Sequence, residues 1–147
     1  MKIMRWAAVI TLALVLTLAA VSKLGTIEDS QISLQQLNVF PQGTLQFLVY
    51  ALIGAEVAVA LSLLLFRRSF LAPLASSGLF ASFLTYHAYR VSAGITVPCT
   101  CFGMFLRLHP AVGIIANCAL VAISLFVLAA RPPPHKVQMN LSPMKET

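Results

Sequence analysis

Four long apolar runs govern what this chain can become. They extend from about Trp6 to Leu24, from Leu45 to Phe66, from Phe70 to about Gly94 and from Ala111 to Ala130. Each holds roughly 18–25 residues, and about 20 residues at 1.5 Å rise span the hydrocarbon core of a bilayer. Lipid offers no hydrogen-bond partners, so a run of this length has to satisfy its own backbone as a helix. Pro110 precedes the fourth run and suits the first turn of a helix. The composition agrees: 59% of residues are hydrophobic, 10% are charged, and the mean hydropathy is +0.90. A water-soluble domain carries about 25% charged residues. The predicted fold is therefore all-α, a four-helix transmembrane bundle over residues 1–131. After it, Pro132-Pro133-Pro134 stops the helix and residues 132–147 read as a disordered cytoplasmic tail.

The net charge of +6 does not point to nucleic acid, because the basic residues flank the apolar runs. With both termini cytoplasmic, Lys2, Arg5, Arg67, Arg68, Arg131, Lys136 and Lys145 lie inside, and Lys23, Arg90 and Arg107 lie outside. Basic residues concentrate on the cytoplasmic side, so this orientation is the predicted one. It describes a multi-pass protein of the inner membrane, in contact with lipid, whose connection between the third and fourth runs is extracytoplasmic. The first run has a second reading as a signal peptide, with a basic start and small residues at Ala20-Val21-Ser22. It exceeds the usual 7–15-residue apolar region of such peptides, which favours a retained helix. Between the first two runs, Gly25–Thr44 is polar, and Ile32, Leu34, Leu37, Val39 and Phe40 suggest a short amphipathic helix on the membrane surface.

The connection before the fourth run reads Val97-Pro98-Cys99-Thr100-Cys101-Phe102-Gly103. Sulfurs two residues apart can bond, and the small ring makes a strained, reducible disulfide. Pro98 holds Val97 extended, and Gly103 frees a turn. An oxidising compartment permits the disulfide, and Arg90 or Arg107 nearby would favour a thiolate. Two buried small residues, or a static disulfide, are the structural alternatives. Cys118, about two turns into the fourth helix, is a candidate resolving thiol, with helix packing as its simpler role.

Glu56 falls in mid-helix, with apolar or small residues on both sides. An ionisable group at that depth costs at least about 2.5 kcal/mol and marks a functional-site candidate. It should face the bundle interior, paired with Lys23, His87 or Arg90 as a structural ion pair or a proton-carrying pair. His87, His109 and Met104 could join the cysteines on a soft metal such as Cu(I), but no paired metal-ligand spacing is present and no metal is assigned. Phe102, Phe105, Tyr86 and Tyr89 could wall a quinone, or form an interfacial aromatic belt.

These residues together resemble the MauE branch of the MauE/DoxX redox-associated membrane proteins. That family has a Cys-Gly-Cys-Phe-Gly run before its last helix; here Thr100 replaces the glycine, keeping both thiols and making the turn less permissive. Ser22-Lys23-Leu24, Glu56 and Asn117 also match, with Ala116 where the family often has arginine. The resemblance spans about Trp6 to Ala130. It implies extracytoplasmic thiol–disulfide chemistry through Cys99 and Cys101, beside a thioredoxin-like partner, with a quinone as the candidate cofactor. MauE itself is linked to maturation of the disulfide-rich small subunit of methylamine dehydrogenase. The other function consistent with these residues is a non-catalytic accessory or assembly subunit of a larger membrane complex, its outer loop pinned by a structural disulfide.

Overall fold

The computed structural model describes residues 2–36, 41–66, 69–95 and 110–130. Among them are five α-helices and no strand: α1 (Lys2–Leu24), α2 (Ile27–Gln35), α3 (Leu45–Leu65), α4 (Leu71–Ser92) and α5 (Pro110–Ala129). A 3-10 turn, Gln42–Thr44, leads into α3. Cys99, Cys101, Phe102, Met104, Phe105, Arg107 and His109 lie outside the described residues, as do Leu37, Val39, Phe40 and the tail from Arg131.

The four long helices close a ring of contacts, α1 on α3, α3 on α4, α4 on α5 and α5 on α1. Inside it sit Leu12, Leu16, Leu63, Phe80, Phe83, Leu120 and Val127. The outside is just as apolar: Phe47 is 74% exposed, Ile115 71% and Leu65 71%. Such a surface suits lipid and would be untenable over this extent in water. Three helices are long and apolar enough to cross a membrane, over Ile3–Leu24, Leu45–Leu65 and Ala111–Ala129.

The third apolar run, now α4, differs from the other three in composition. At 22 residues it has the length, but Ser76, Ser77, His87 and Arg90 dilute its hydropathy. Those four side chains are buried, while Leu71, Leu74 and Val91 face out. The polar face of α4 is its inner face. The helix stops where Gly94 takes φ +69, a left-handed conformation that glycine adopts without strain. There the Ile95 N–H donates to the Arg90 carbonyl at 2.9 Å and the Gly94 N–H to that of Val91 at 3.1 Å, a Schellman closure.

The short helix α2 forms over part of the expected stretch, with Glu28 and Asp29 in its first turn, where the positive end of the helix dipole favours them. Its inner face follows helical spacing. Ile27 and Leu34 pack on Ala20, Val49 and Ile53, whereas Ile32 is 54% exposed. Residues 27, 30 and 34 share a face at helical spacing, and residue 32 falls opposite.

Leu16 is fully buried, so Leu16→Ala should lower the unfolding free energy by about 2–3 kcal/mol, as a packing cavity opens. Leu65→Ala, on the lipid-facing surface, should change it by less than about 0.5 kcal/mol. Thermal or denaturant unfolding in detergent micelles measures both.

Candidate functional site: a polar layer across the bundle

Each long helix contributes one buried polar side chain to a layer inside the ring. Lys23 comes from α1, Glu56 from α3, His87 from α4 and Asn117 from α5, none more than 2% exposed. Lys23 Nζ donates to Glu56 Oε1 at 2.5 Å. The pairing follows from helix geometry. Side chains lean toward the N-terminus of their own helix. Helices α1 and α3 run antiparallel, so Lys23 leans down from the end of α1 while Glu56 leans up from mid-α3, and the two converge. Glu56 lies about 16 Å along α3 from Leu45, at 1.5 Å per residue. Of the partners the sequence allowed, Lys23 is the one Glu56 takes.

The ammonium of Lys23 also rests 5.3 Å from the centre of the Phe83 ring, within cation–π reach. One turn further along α4, the His87 imidazole lies against α5. A Cβ placed on Gly113 would come within 2.5 Å of His87 Cε1, 2.7 Å of Nδ1 and 2.8 Å of Nε2. Only a residue without a side chain leaves room for the ring there. On the next turn of α5, Asn117 Nδ2 donates to the Gly113 carbonyl at 2.8 Å.

Arg90 does not join Glu56. It reaches α2, donating to Gln36 Oε1 and to the Tyr86 hydroxyl, each at 3.3 Å. Tyr86 in turn donates to the Ser33 carbonyl at 3.1 Å. The pair clasps α2 to α4 at the end of the bundle from which the cysteine-bearing segment departs. Tyr86 is occupied by this clasp, and Tyr89 is 48% exposed. Ser76 Oγ and Ser124 Oγ, 3.1 Å apart, tie α4 to α5 deeper in the bundle.

Four atoms of the layer have no protein partner: Glu56 Oε2, both ring nitrogens of His87, and Asn117 Oδ1. Cys118 stands apart. It is exposed on α5, beside the fully buried Asn117 but a helical step around the axis, so its thiol faces away from the bundle interior. Among the described residues, no group of three or more His, Cys, Asp or Glu side chains converges as a metal site.

Sequence reasoning singled out Lys23, Glu56 and His87, and family likeness added Asn117. Gly113 escaped it, because a lone glycine in a helical pattern signals no specific contact.

Lys23→Met should destabilise the protein by about 3 kcal/mol and Glu56→Leu by a similar amount, since each strands a buried group. The double variant should recover most of the loss, and unfolding in micelles would read the cycle. Gly113→Ala should cost about 1–3 kcal/mol by pressing on the imidazole. Adding His87→Ala should remove that cost.

Comparison with curated proteins and with solved structures found no match. Among family models, the one described as methylamine utilisation protein MauE matches residues 1–130. That stretch takes in all five helices, the polar layer and the Cys99–Cys101 run, and the chain belongs to the MauE family of methylamine utilisation proteins.

Proposed function

We propose that the chain is a four-span protein of the inner membrane that carries out thiol–disulfide exchange at its extracytoplasmic side through Cys99 and Cys101. The observation that carries this reading is a Cys99-Thr100-Cys101-Phe102-Gly103 run on the connection from α4 to α5 of a MauE-family membrane protein. In this reading α4 spans as well. Its polar side chains turn inward, so the face left to lipid is apolar. Four crossings with α1 retained put both termini in the cytoplasm, where seven of the ten basic residues then fall. Chain length ties Cys99 to the α2 end, because four residues beyond Ile95 reach at most about 14 Å.

The exchange needs a dithiol partner as reductant and an acceptor for the electrons. A thiolate of a thioredoxin-like partner attacks one sulfur of the Cys99–Cys101 disulfide, forming a mixed disulfide and releasing the other sulfur as thiolate. The partner's second thiol then attacks the mixed disulfide. The partner leaves oxidised, and Cys99 and Cys101 are left as thiols. Returning them to the disulfide passes two electrons and two protons to an acceptor, for which a membrane quinone, becoming the quinol, is the proposed class. Lys23 and Glu56 hold the bundle beneath. Cys118, turned outward, is given no part.

Thiol trapping in cells tests the proposal. Cys99 and Cys101 should be trapped mainly as the disulfide when electron acceptor is present and mainly as thiols when it is withdrawn. Cys99→Ala/Cys101→Ala should abolish thiol-dependent activity, and Cys118→Ser should preserve it. A pair oxidised throughout, with the double alanine variant fully active, would instead identify an accessory subunit with a structural disulfide.

A further inference from the structure

Helices α1 and α5 touch but leave a groove between them at one end of the bundle. Met4, Ala7, Ala8 and Thr11 from the first turns of α1 line it, with Ala122 and Phe126 near the end of α5, around a space of about 490 Å³. Three of these six residues are alanines, and longer side chains would fill the space. Ala8 also packs on the core, as does Ile123 beside it in the lining, so the inner wall is fixed. Met4, Ala7, Thr11, Ala122 and Phe126 are exposed, and in a bilayer the groove opens to lipid. Thr11 is the one polar side chain in it. The lining extends about 10 Å along α1, from Met4 to Thr11. One leaflet of the hydrocarbon core is about 15 Å deep. A transmembrane helix needs a seat through both leaflets, whereas a space confined to one leaflet matches a single acyl chain.

The end of the bundle where the groove begins is cationic in sequence. Lys2 and Arg5 belong to the first turn of α1, Arg67 and Arg68 follow α3, and Arg131 follows α5. The acidic residues of 1–131 are Glu28, Asp29 and Glu56. The first two lie on α2, at the opposite end, and Glu56 is paired with Lys23. A neutral lipid would fill the groove and leave these cations unanswered; a negatively charged one meets both. We propose that the α1–α5 groove holds one acyl chain of an anionic phospholipid, whose headgroup lies against the cationic end of the bundle. Basic residues beside a membrane helix attract anionic headgroups, by roughly 5-fold in affinity for each charge near the surface. The proposal uses nothing of the chemistry proposed for Cys99 and Cys101.

The test is quenching of tryptophan fluorescence by brominated acyl chains. Trp6 is the only tryptophan of the chain, and it lies on another side of α1, because residues 4, 8 and 11 share a face at helical spacing and residue 6 does not. Trp6→Phe/Phe126→Trp therefore moves the reporter to the groove wall. The full chain with this change is placed in phosphatidylcholine vesicles in which a minor fraction of the lipid, either phosphatidylglycerol or phosphatidylcholine, is brominated. Phosphatidylglycerol should quench the reporter at least about 3-fold more than the same fraction of phosphatidylcholine. Adding Ala122→Leu, which fills the groove, should remove that excess, and adding Lys2→Gln/Arg131→Gln should lower it. Equal quenching by the two lipids would overturn the proposal, as would an excess that persists with the groove filled. Quenching by neither would mean that a second copy of the chain or a partner helix covers the groove, and would overturn it too. If a variant fails to fold, the unaltered chain decides. Native mass spectrometry from detergent should show phosphatidylglycerol retained at least about 5-fold more strongly than phosphatidylcholine, and equal retention would overturn the proposal.

Discussion

The ion pair between Lys23 and Glu56 is the contact on which the arrangement of this bundle rests. In lipid, helix faces are not sorted by hydrophobicity, since acyl chains are as apolar as leucine. Helix α3 shows the difficulty: it is apolar almost all round, and Glu56 is the one charged residue along it. Packing alone gives little reason to bury one side of such a helix over another. A charge that must leave the hydrocarbon gives a strong one. With Glu56 turned inward, Val49, Ile53, Ala60 and Leu63 turn in with it. With Lys23 turned inward, Leu12, Leu16 and Ala20 of α1 follow. Both stripes step by three and four residues, the spacing of one helix face.

The same rule orders the other half of the ring. On α4 the inward positions include Pro73, Ser76, Phe80, Phe83, His87 and Arg90, and on α5 they include Gly113, Asn117, Leu120, Ser124 and Val127. Polar and small residues recur among them, and small side chains are what let membrane helices approach closely. At Gly113 the approach carries a ring: the imidazole takes the place of a side chain on the neighbouring helix. The polar layer is therefore also a packing device. It specifies rotation through charge on α1 and α3, and through shape on α4 and α5.

How much of this could be read from the sequence depends on whether the signal was local. The long helices were legible because lipid forces runs of apolar residues into helices of set length, and Pro110 marked the start of α5 within the chain itself. Glu56 was legible as a buried charge for the same reason. Its choice of Lys23 over His87 or Arg90 was not, because that depends on the stagger of two antiparallel helices. The inner face of α2 was not legible: only contact with Ala20, Val49 and Ile53 shows that Ile27 and Leu34 lie inside. Cys118 is a similar case. Its depth followed from counting residues, while its outward direction depended on which face of α5 the buried Asn117 would claim.

The bundle is not equally firm along its length. At mid-depth the charged pair, the imidazole on Gly113 and the serine contact between α4 and α5 are enclosed by core side chains. Nearer the α2 end, the clasp consists of partly buried hydrogen bonds from Tyr86 and Arg90 to Ser33 and Gln36. Each such bond adds only about 0.5–1.5 kcal/mol, since water can replace the partner. Opening of α2 should therefore precede any loosening of the layer beneath, as the least buried segments open first. His87 lies five residues before the end of α4 and Asn117 seven after the start of α5, about 8 and 10 Å along their helices. The rigid layer thus sits one to two turns below the end that carries the cysteines, with the loosest helix beside it. Strong contacts hold the charged pair and the imidazole inside, and weaker, partly buried ones hold α2 above them.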